Sequence, residues 1–214
     1  MRRVTLTTLS FMAFACLAQT AQAQDVSGDI QAISSYIDDD GFDYSDGPAV
    51  QGTLTINLGE HCSIDLWGSK TLSNNLGDEL DAGASCRFNL DEKTEIEVAA
   101  SQYFLAGADM TVVEGTVTRG PVDLTVSHYF YHEGNADATR IQVGVSHEID
   151  KFDLRAYATY ETGFDLPDIA TAGLSAEYKL TNRFSLTGNA IVPFSRESGD
   201  PRSAQVTAGI KMTF

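Results

Sequence analysis

The sequence is poor in several residue types that would mark other classes of protein. Its 214 residues include three cysteines, five prolines and one tryptophan, and only 14 lysines and arginines against 30 aspartates and glutamates. So acidic a chain lacks the basic surface that nucleic-acid binding requires. Beyond residue 23 no apolar run is long enough for a membrane-spanning helix. A position in a membrane would therefore require a closed barrel, because only helices and closed barrels satisfy their backbone groups in lipid.

The first 23 residues are predicted to be a cleaved signal peptide. Arg2 and Arg3 form a charged start, residues 4–18 are mostly apolar, and Ala21-Gln22-Ala23 supplies the small residues of a cleavage site. Residues 24–214 contain no obvious linker and are predicted to form one domain. Without the two arginines this domain has 12 basic and 30 acidic residues, a formal net charge of −18.

The mature chain alternates between apolar and polar residues, which is the pattern of strands with one apolar and one polar face. The segment 203–214 is the clearest example, and it ends on the aromatic Phe214. Twelve such segments are predicted, at 28–36, 49–58, 62–69, 79–90, 94–104, 109–118, 121–132, 139–149, 152–163, 169–180, 184–194 and 203–214. Each has about the length of a tilted membrane-spanning strand.

The connections between these segments are short on one side and mostly longer and polar on the other. Residues 59–61, 119–120 and 150–151 fit tight turns, whereas 38–48 and 195–202 are long. This asymmetry is typical of outer-membrane barrels, whose short turns are periplasmic. We therefore predict an all-β, antiparallel, up-and-down transmembrane barrel of twelve strands, or of ten if a weak segment such as 109–118 is a loop. A soluble β-sandwich is the alternative.

The predicted outward faces carry aromatic residues at both ends of an apolar band, which favours a membrane barrel over a sandwich. Those near the short turns are Phe88, Phe152, Phe184 and Phe214, and those near the long loops are Tyr36, Phe104, Phe130, Tyr160 and Phe194. The opposite faces are polar and are predicted to line a lumen, since charges need water or partners. The predicted pore-lining residues are Asp65, Trp67, Asp81, Arg87, Glu95, Glu97, Glu114, Asp123, Arg140, Glu148, Asp153, Arg155, Glu161, Glu177, Lys179 and Lys211.

Two cysteines remain in the mature chain, Cys62 and Cys86, and an exported protein can oxidise them. A hairpin centred near residue 74 places them directly opposite each other on one outward face. Opposed residues of an antiparallel pair are close enough for a disulfide, so this bond is predicted.

No catalytic, cofactor or metal site is predicted. His128 and His147 lie on the outward face, but in the predicted register they oppose Val143 and Leu124, so a base–nucleophile pair is missing. The acidic segment 38–46 lacks the spacing of a calcium loop and is expected to be a solvated surface loop.

The terminal amphipathic strand ending in Phe214 resembles the closing strand of bacterial outer-membrane barrels, a resemblance that implies that this residue is part of the signal read by the barrel assembly machinery. The whole chain resembles small Gram-negative outer-membrane porins. Within them, Ser27-Gly28-Asp29-Ile30 and the segment 47–52 (Gly-Pro-Ala-Val-Gln-Gly) resemble the TorF-type porins. The resemblance implies a channel without a defined substrate.

The predicted function is a passive outer-membrane channel for small polar solutes, surrounded by outer-membrane lipids. Ten acids and five bases on the predicted lumen indicate a weak cation preference. The long connections are not expected to plug the lumen. The alternatives are a non-conducting structural or surface-interaction barrel and, less favoured, a lipid-modifying enzyme.

Overall fold

The computed structural model describes residues 25–73, 76–105, 109–132, 137–163, 168–195 and 202–214. The predicted signal peptide lies outside these ranges. The strands are β1 (Val26–Ile33), β2 (Ala49–Leu58), β3 (Cys62–Thr71), β4 (Glu79–Asn89), β5 (Thr94–Leu105), β6 (Met110–Arg119), β7 (Val122–Tyr131), β8 (Ala138–Ile149), β9 (Phe152–Thr162), β10 (Ile169–Lys179), β11 (Phe184–Ser195) and β12 (Gln205–Thr213). In these ranges, no helix has the length and apolar character needed to cross a membrane.

The twelve strands form one closed antiparallel barrel, as the alternation predicts. Each strand pairs with its neighbours in sequence, and β1 closes the barrel against β12, with Ile30 opposite Met212. Phe214 extends this seam by exchanging two backbone hydrogen bonds with Gly28, of 3.0 and 3.1 Å. The ten-strand alternative is wrong, because the weak segment forms β6 and pairs on both sides.

Apolar side chains cover the outside of the barrel. Val206 is 78% exposed and Leu174 is 54% exposed. A continuous exposed apolar surface of this kind is unusual for a water-soluble protein. Eight of the nine predicted outward aromatics are exposed in this way: Phe88, Phe104, Phe130, Phe152, Tyr160, Phe184, Phe194 and Phe214. The ninth prediction is wrong. The Tyr36 ring stacks on Tyr44 with centroids 5.2 Å apart and donates its hydroxyl to Glu79, so it lies inside.

Tight turns connect the strands at one end of the barrel. Gly59 and Gly120 have φ of +77° and +57°, and Asp150 has φ of +53°, which is the left-handed conformation that two-residue hairpins use. Near this end, Cys62 and Cys86 are direct register partners with Cα atoms 4.0 Å apart, and the predicted disulfide is present.

The connection between β1 and β2 does not remain outside as a solvated loop. Residues 34–48, here called the lumen hairpin, fold back into the barrel. A bridge joins Ile37 to Asp43, the Asp38 backbone N–H donates to the Phe42 carbonyl at 3.0 Å, and the Tyr44 N–H donates to the Tyr36 carbonyl at 2.8 Å. As a result β1 ends at Ile33 rather than at residue 36. The prediction of a solvated loop that leaves the lumen unplugged is wrong.

Candidate functional site

The tip of the lumen hairpin crosses the barrel and reaches strands far from β1. The Asp38 carboxylate accepts from the Arg140 guanidinium on β8 at 2.7 Å, and Arg140 also contacts Glu161 on β9 at 2.8 Å. The Arg140 side chain is 14% exposed and that of Glu161 is 2% exposed. Burial raises the pKa of Asp38, but the charge and hydrogen bonds of Arg140, with the backbone N–H of Asp39, together outweigh burial and lower this pKa below its ordinary value. A shielded ion pair therefore joins the hairpin to the far wall.

The next residue, Asp39, makes three further contacts to that wall. Its carboxylate accepts from the Gln142 amide at 2.8 Å and from the Tyr157 hydroxyl at 3.0 Å. Its backbone carbonyl accepts from the Thr171 hydroxyl at 2.7 Å. The partners lie on β8, β9 and β10, so the hairpin tip is held by three adjacent strands.

The last part of the tip is buried against residues that precede β12. Asp40 lies 3.7 Å from the guanidinium of Arg202, which is 1% exposed. Burial, and then the nearby charge of Asp38, raise the pKa of Asp40 to about 6. Gly41 follows with φ of +87°, and a side chain there would approach the Ser203 carbonyl at 3.0 Å. The turn thus uses a glycine where both backbone angle and space require one.

All five bases predicted to line the lumen contact carboxylates. Arg140 is described above, and the other pairs are Arg87 with Glu97, Arg155 with Asp123 at 2.9 Å, Lys179 with Glu148 at 3.3 Å and with Asp153 at 2.9 Å, and Lys211 with Glu177. Arg155 pairs with neither Glu148 nor Glu161 among the described residues, since those carboxylates contact Lys179 and Arg140. Gly144 leaves the space for the observed pair, because a Cβ there would lie 2.6 Å from both Arg155 and Asp123.

Several acids of the inner faces have no basic partner within ion-pair distance among the described residues. These are Asp65 on β3, Glu79 and Asp81 on β4, Glu95 on β5 and Glu114 on β6. Asp65 accepts from the hydroxyls of Thr55 at 2.6 Å and Ser63 at 2.9 Å, and Glu114 accepts from Ser127 at 2.7 Å. Asp29 on β1 and Asp39 in the hairpin also form no ion pair with a described residue, but most of the acids without a basic partner lie on the β3–β6 wall.

Three cavities lie inside the barrel, and two of them border the hairpin. One of about 590 Å³, the long-loop cavity, lies between the hairpin and the β3–β7 wall. Another of about 800 Å³, the short-turn cavity, lies toward the short turns, and both are lined by Tyr36 and Trp67. A third of about 590 Å³ near the disulfide shares Asp65, Gly83 and Ser101 with the long-loop cavity. The long-loop and short-turn cavities thus adjoin at Tyr36 and Trp67, and the third cavity adjoins the long-loop cavity along β3–β5.

Several residues of this interior were not predicted from the sequence, namely Tyr36, Asp38, Asp39, Asp40, Glu79, Gln142 and Arg202. One feature of the sequence does indicate that the acidic segment 38–46 is buried. It contains two large aromatic residues, Phe42 and Tyr44, which are unusual in a solvated loop. The inward position of Glu79 could also have been predicted, since it precedes Asp81 by two residues and therefore lies on the same face of the strand. No feature of the neighbouring sequence predicts that Arg202 is buried beside Asp40.

The acidic hairpin does not form a recognisable metal centre. Among the described residues, no three histidine, cysteine, aspartate or glutamate side chains are grouped so that they could hold a metal ion. Asp43 instead accepts hydrogen bonds from Ser35 at 2.8 Å and from the Ser45 backbone at 3.0 Å, within the hairpin itself.

The outward histidines lie in a different register from the predicted one. His128 opposes Thr139, not Val143, and its Nδ1 lies 2.9 Å from the Thr139 hydroxyl. His147 opposes Leu154 on β9. The prediction that Val143 faces His128 is therefore wrong, because the register of β7 against β8 is shifted by four residues. No carboxylate of the described chain hydrogen-bonds to the His128 ring to complete a catalytic triad.

Comparisons with known proteins find likeness in structure only. No family model matches the chain, and no curated protein matches it in sequence. Among solved structures, the chain is similar to the KdgM porin, with 11% identity, a TM-score of 0.65, and coverage of 88% of this chain and 99% of the porin.

Two further solved structures agree with the first. The chain is similar to the COG4313 outer membrane channel from Pseudomonas putida F1, with 11% identity, a TM-score of 0.61, and coverage of 91% of this chain and 96% of that one. It is also similar to the NanC porin, with 9% identity, a TM-score of 0.57, and coverage of 90% and 99%. At these identities the likeness establishes architecture alone, and on that basis this chain has the porin-type β-barrel fold.

Proposed function

We propose that this protein is an outer-membrane channel for small polar solutes, with a weak preference for cations. The observation that carries the proposal is the distribution of charge inside the barrel. The bases predicted to line the lumen are already matched to carboxylates. Of the acids predicted to line the lumen, those without a basic partner among the described residues all lie on β3–β6. Carboxylates that line a narrow passage favour cations through their local field.

The position of the lumen hairpin supports an off-centre route. Its tip is bound to β8, β9 and β10, which leaves the β3–β6 side as the place where the cavities meet. A solute on this route would pass Trp67 and Asp65 on β3. A twelve-stranded barrel is intermediate between filled eight-stranded barrels and open porins, so a hairpin inside it should leave a narrow channel.

The same charge distribution argues against a polyanionic substrate. One of the similar structures is the KdgM porin in complex with disordered oligogalacturonate. Galacturonate units carry carboxylates, which the uncompensated acids Glu79, Asp81 and Asp65 of this chain would repel. Because a shared fold does not by itself imply a shared ligand, we propose no polyanionic substrate for this chain.

Outer-membrane localisation is part of the proposal. It rests on the apolar band, on the aromatic residues at both barrel ends, and on the signal peptide predicted from residues 1–23. The proposed partners are outer-membrane lipids and the barrel assembly machinery, which would read Phe214. Membership of the TorF-type group remains a proposal that rests on residues 27–30 and 47–52.

Two other functions are considered beside the channel. A structural barrel would have the same fold but would not conduct. A lipid-modifying enzyme would need a base and nucleophile on the lipid-facing wall, and the His128–Thr139 contact at 2.9 Å is the nearest approach to one. Without an orienting carboxylate, this pair gives little support to catalysis.

Reversal potentials of the refolded protein in planar bilayers, measured across a potassium chloride gradient, test the proposal. We expect small conductance and a weakly cation-selective potential. Asp65→Asn combined with Glu114→Gln should shift the potential toward zero, whereas Glu92→Gln, in an exposed turn, should leave it unchanged. Anion selectivity of the unmodified protein would contradict the electrostatic argument, and absence of conductance would assign the protein to the structural class.

A further inference from the structure

The long-loop cavity has a wall of aromatic rings around two carboxyl groups. Tyr36 stacks on Tyr44 with centroids 5.2 Å apart and lies 5.7 Å from the indole of Trp67. Phe42 meets Tyr44 edge-on at 4.8 Å, which extends the cluster along the hairpin. These rings lie inside the barrel, where they line a cavity of about 590 Å³ rather than a packed core.

The carboxyl groups belong to Glu79 and Asp81, two residues apart on the inner face of β4. Glu79 is 9% exposed and accepts a hydrogen bond from the Tyr36 hydroxyl at 2.8 Å. Asp81 Oδ1 is buried and has no hydrogen-bond partner among the described residues. Two neighbouring carboxyl groups in such a place are costly unless a positive charge or a proton compensates them.

The arginines that line the same cavity are engaged elsewhere. Arg140 contacts both Asp38 and Glu161, and Arg202 lies beside Asp40. Within the described ranges, neither forms an ion pair with Glu79 or Asp81. The cavity therefore offers negative charge and aromatic faces together, on the side away from its arginines.

We infer that this cavity binds a small organic cation, an ammonium group on a compact apolar body. Aromatic faces attract such cations through the ring quadrupole, and the attraction grows when water is excluded. Glu79 and Asp81 supply the opposing charge, while Tyr36, Tyr44 and Trp67 supply the faces. A bare metal ion fits less well, because it requires several converging oxygen ligands and gains little from aromatic rings.

The inference deepens the proposed channel function, because the site lies where the cavities meet beside Trp67 and Tyr36. Binding does not itself require conduction, so the two can be tested apart. A neutral sugar, which also stacks on aromatic rings, is the competing ligand class. It would not depend on the charge of Glu79 and Asp81.

Trp67 is the only tryptophan of the chain and lines the cavity, so its fluorescence reports on the site. The experiment titrates the refolded protein in detergent with choline chloride, with 3,3-dimethylbutan-1-ol as the neutral analogue of the same shape. Sodium chloride at matched ionic strength and glucose complete the set. We expect a saturable change with choline and none with the other three.

Isosteric variants identify the groups responsible. Glu79→Gln and Asp81→Asn should each weaken choline binding by about tenfold or more, since each removes a charge beside the cation. Glu114→Gln removes a similar inner-face charge outside this cavity and should leave the affinity within about twofold. Heat-modifiable migration in gels confirms that each variant forms the barrel.

Four results would overturn the inference: no response to choline, equal responses to choline and the alcohol, a response to glucose alone, or choline binding that Glu79→Gln and Asp81→Asn leave unchanged. Saturable choline binding by a protein that does not conduct would instead refute the channel proposal and leave the site in place.

Discussion

The barrel wall and the lumen hairpin are both built from polar and apolar residues, but they are held in different ways. In the wall, apart from the β1–β12 closure, each strand pairs with its sequence neighbour over eight to eleven registered residues. The hairpin is held by a few contacts across the lumen, such as Asp38 with Arg140, which are 102 residues apart in sequence. Such a segment should be far more sensitive to one substitution than the wall is.

The largest effect is expected from Arg140→Gln, which leaves Asp38 and Glu161 without their buried partner. Removal of one member of a buried ion pair costs about 3–5 kcal/mol. We expect the hairpin to leave the far wall and the single-channel conductance in planar bilayers to rise. The wall should survive, because Arg140 makes its strand pairing through the backbone.

Lys179→Gln is the matched control. It also removes one base from the inner face, but its partners Glu148 and Asp153 lie near the short turns and do not touch the hairpin. If Arg140→Gln and Lys179→Gln change the conductance equally, the hairpin does not limit the passage.

The wall should resist single changes except on its lipid-facing side. Arg at Ala208, an exposed position near the middle of β12, should lower the free energy of unfolding by about 2–4 kcal/mol. Arg at the adjacent Thr207, which lines the short-turn cavity, should cost much less. Urea unfolding in lipid vesicles measures the difference, and equal losses would mean that the register of β12 is wrong.

The disulfide between Cys62 and Cys86 also stabilises the wall, because it links β3 to β4. Replacement of Cys62 and Cys86 by serine opens a covalent loop with a sequence separation of 24 and should lower stability by about 2 kcal/mol. The bond lies far from the hairpin tip, so conductance should not change. Mass spectrometry of unreduced protein should find no alkylatable thiol on these residues. Two alkylatable thiols would exclude the bond.

The smallest effect concerns pH and the docking of the hairpin. Asp40 has a pKa of about 6 in the docked hairpin against an ordinary value of 3.8, so the docked form holds the proton more tightly. Docking is therefore strengthened by Asp40 as the pH falls from about 7 to 5, and it weakens as the pH rises through about 6. Asp38, whose pKa is lowered by Arg140, stays ionised and keeps its contact in this window.

We accordingly expect the conductance to fall between pH 7 and 5 by about a factor of two or less, with Asp40→Asn showing a smaller pH dependence than the unmodified protein. The comparison is made between the two proteins, since other carboxyl groups of the lumen also titrate. Identical pH profiles would remove Asp40 from the explanation.

The strands were predictable because the barrel imposes a local rule. A strand with one lipid-facing side must alternate with a period of two, and a single residue of slip would put charges such as Arg155 into lipid. Eleven of the twelve predicted segments accordingly match the observed strands within two residues at each end. The exception is the first, whose predicted end lies three residues beyond Ile33, because alternation places Tyr36 on the outward face whereas its ring lies inside the barrel.

The register around His128 was predicted less well. The polar residues between β7 and β8 predict a hairpin centred between residues 135 and 136, but His128 pairs with Thr139, four positions away from the predicted partner Val143. Alternation fixes which face a residue occupies, but it does not fix which partner it meets when the connecting loop is long.

The sequence by itself determined the class of fold, the twelve strands, the outward apolar band and the disulfide. All of these follow from short-range periodicity and from hairpin geometry. Only the tertiary structure decided the path of residues 34–48 and the partners of the inner charges. Whether an acidic segment stays in water or enters the barrel depends on compensating groups, here Arg140, Gln142 and Arg202, which lie far along the chain and become neighbours only when the barrel closes.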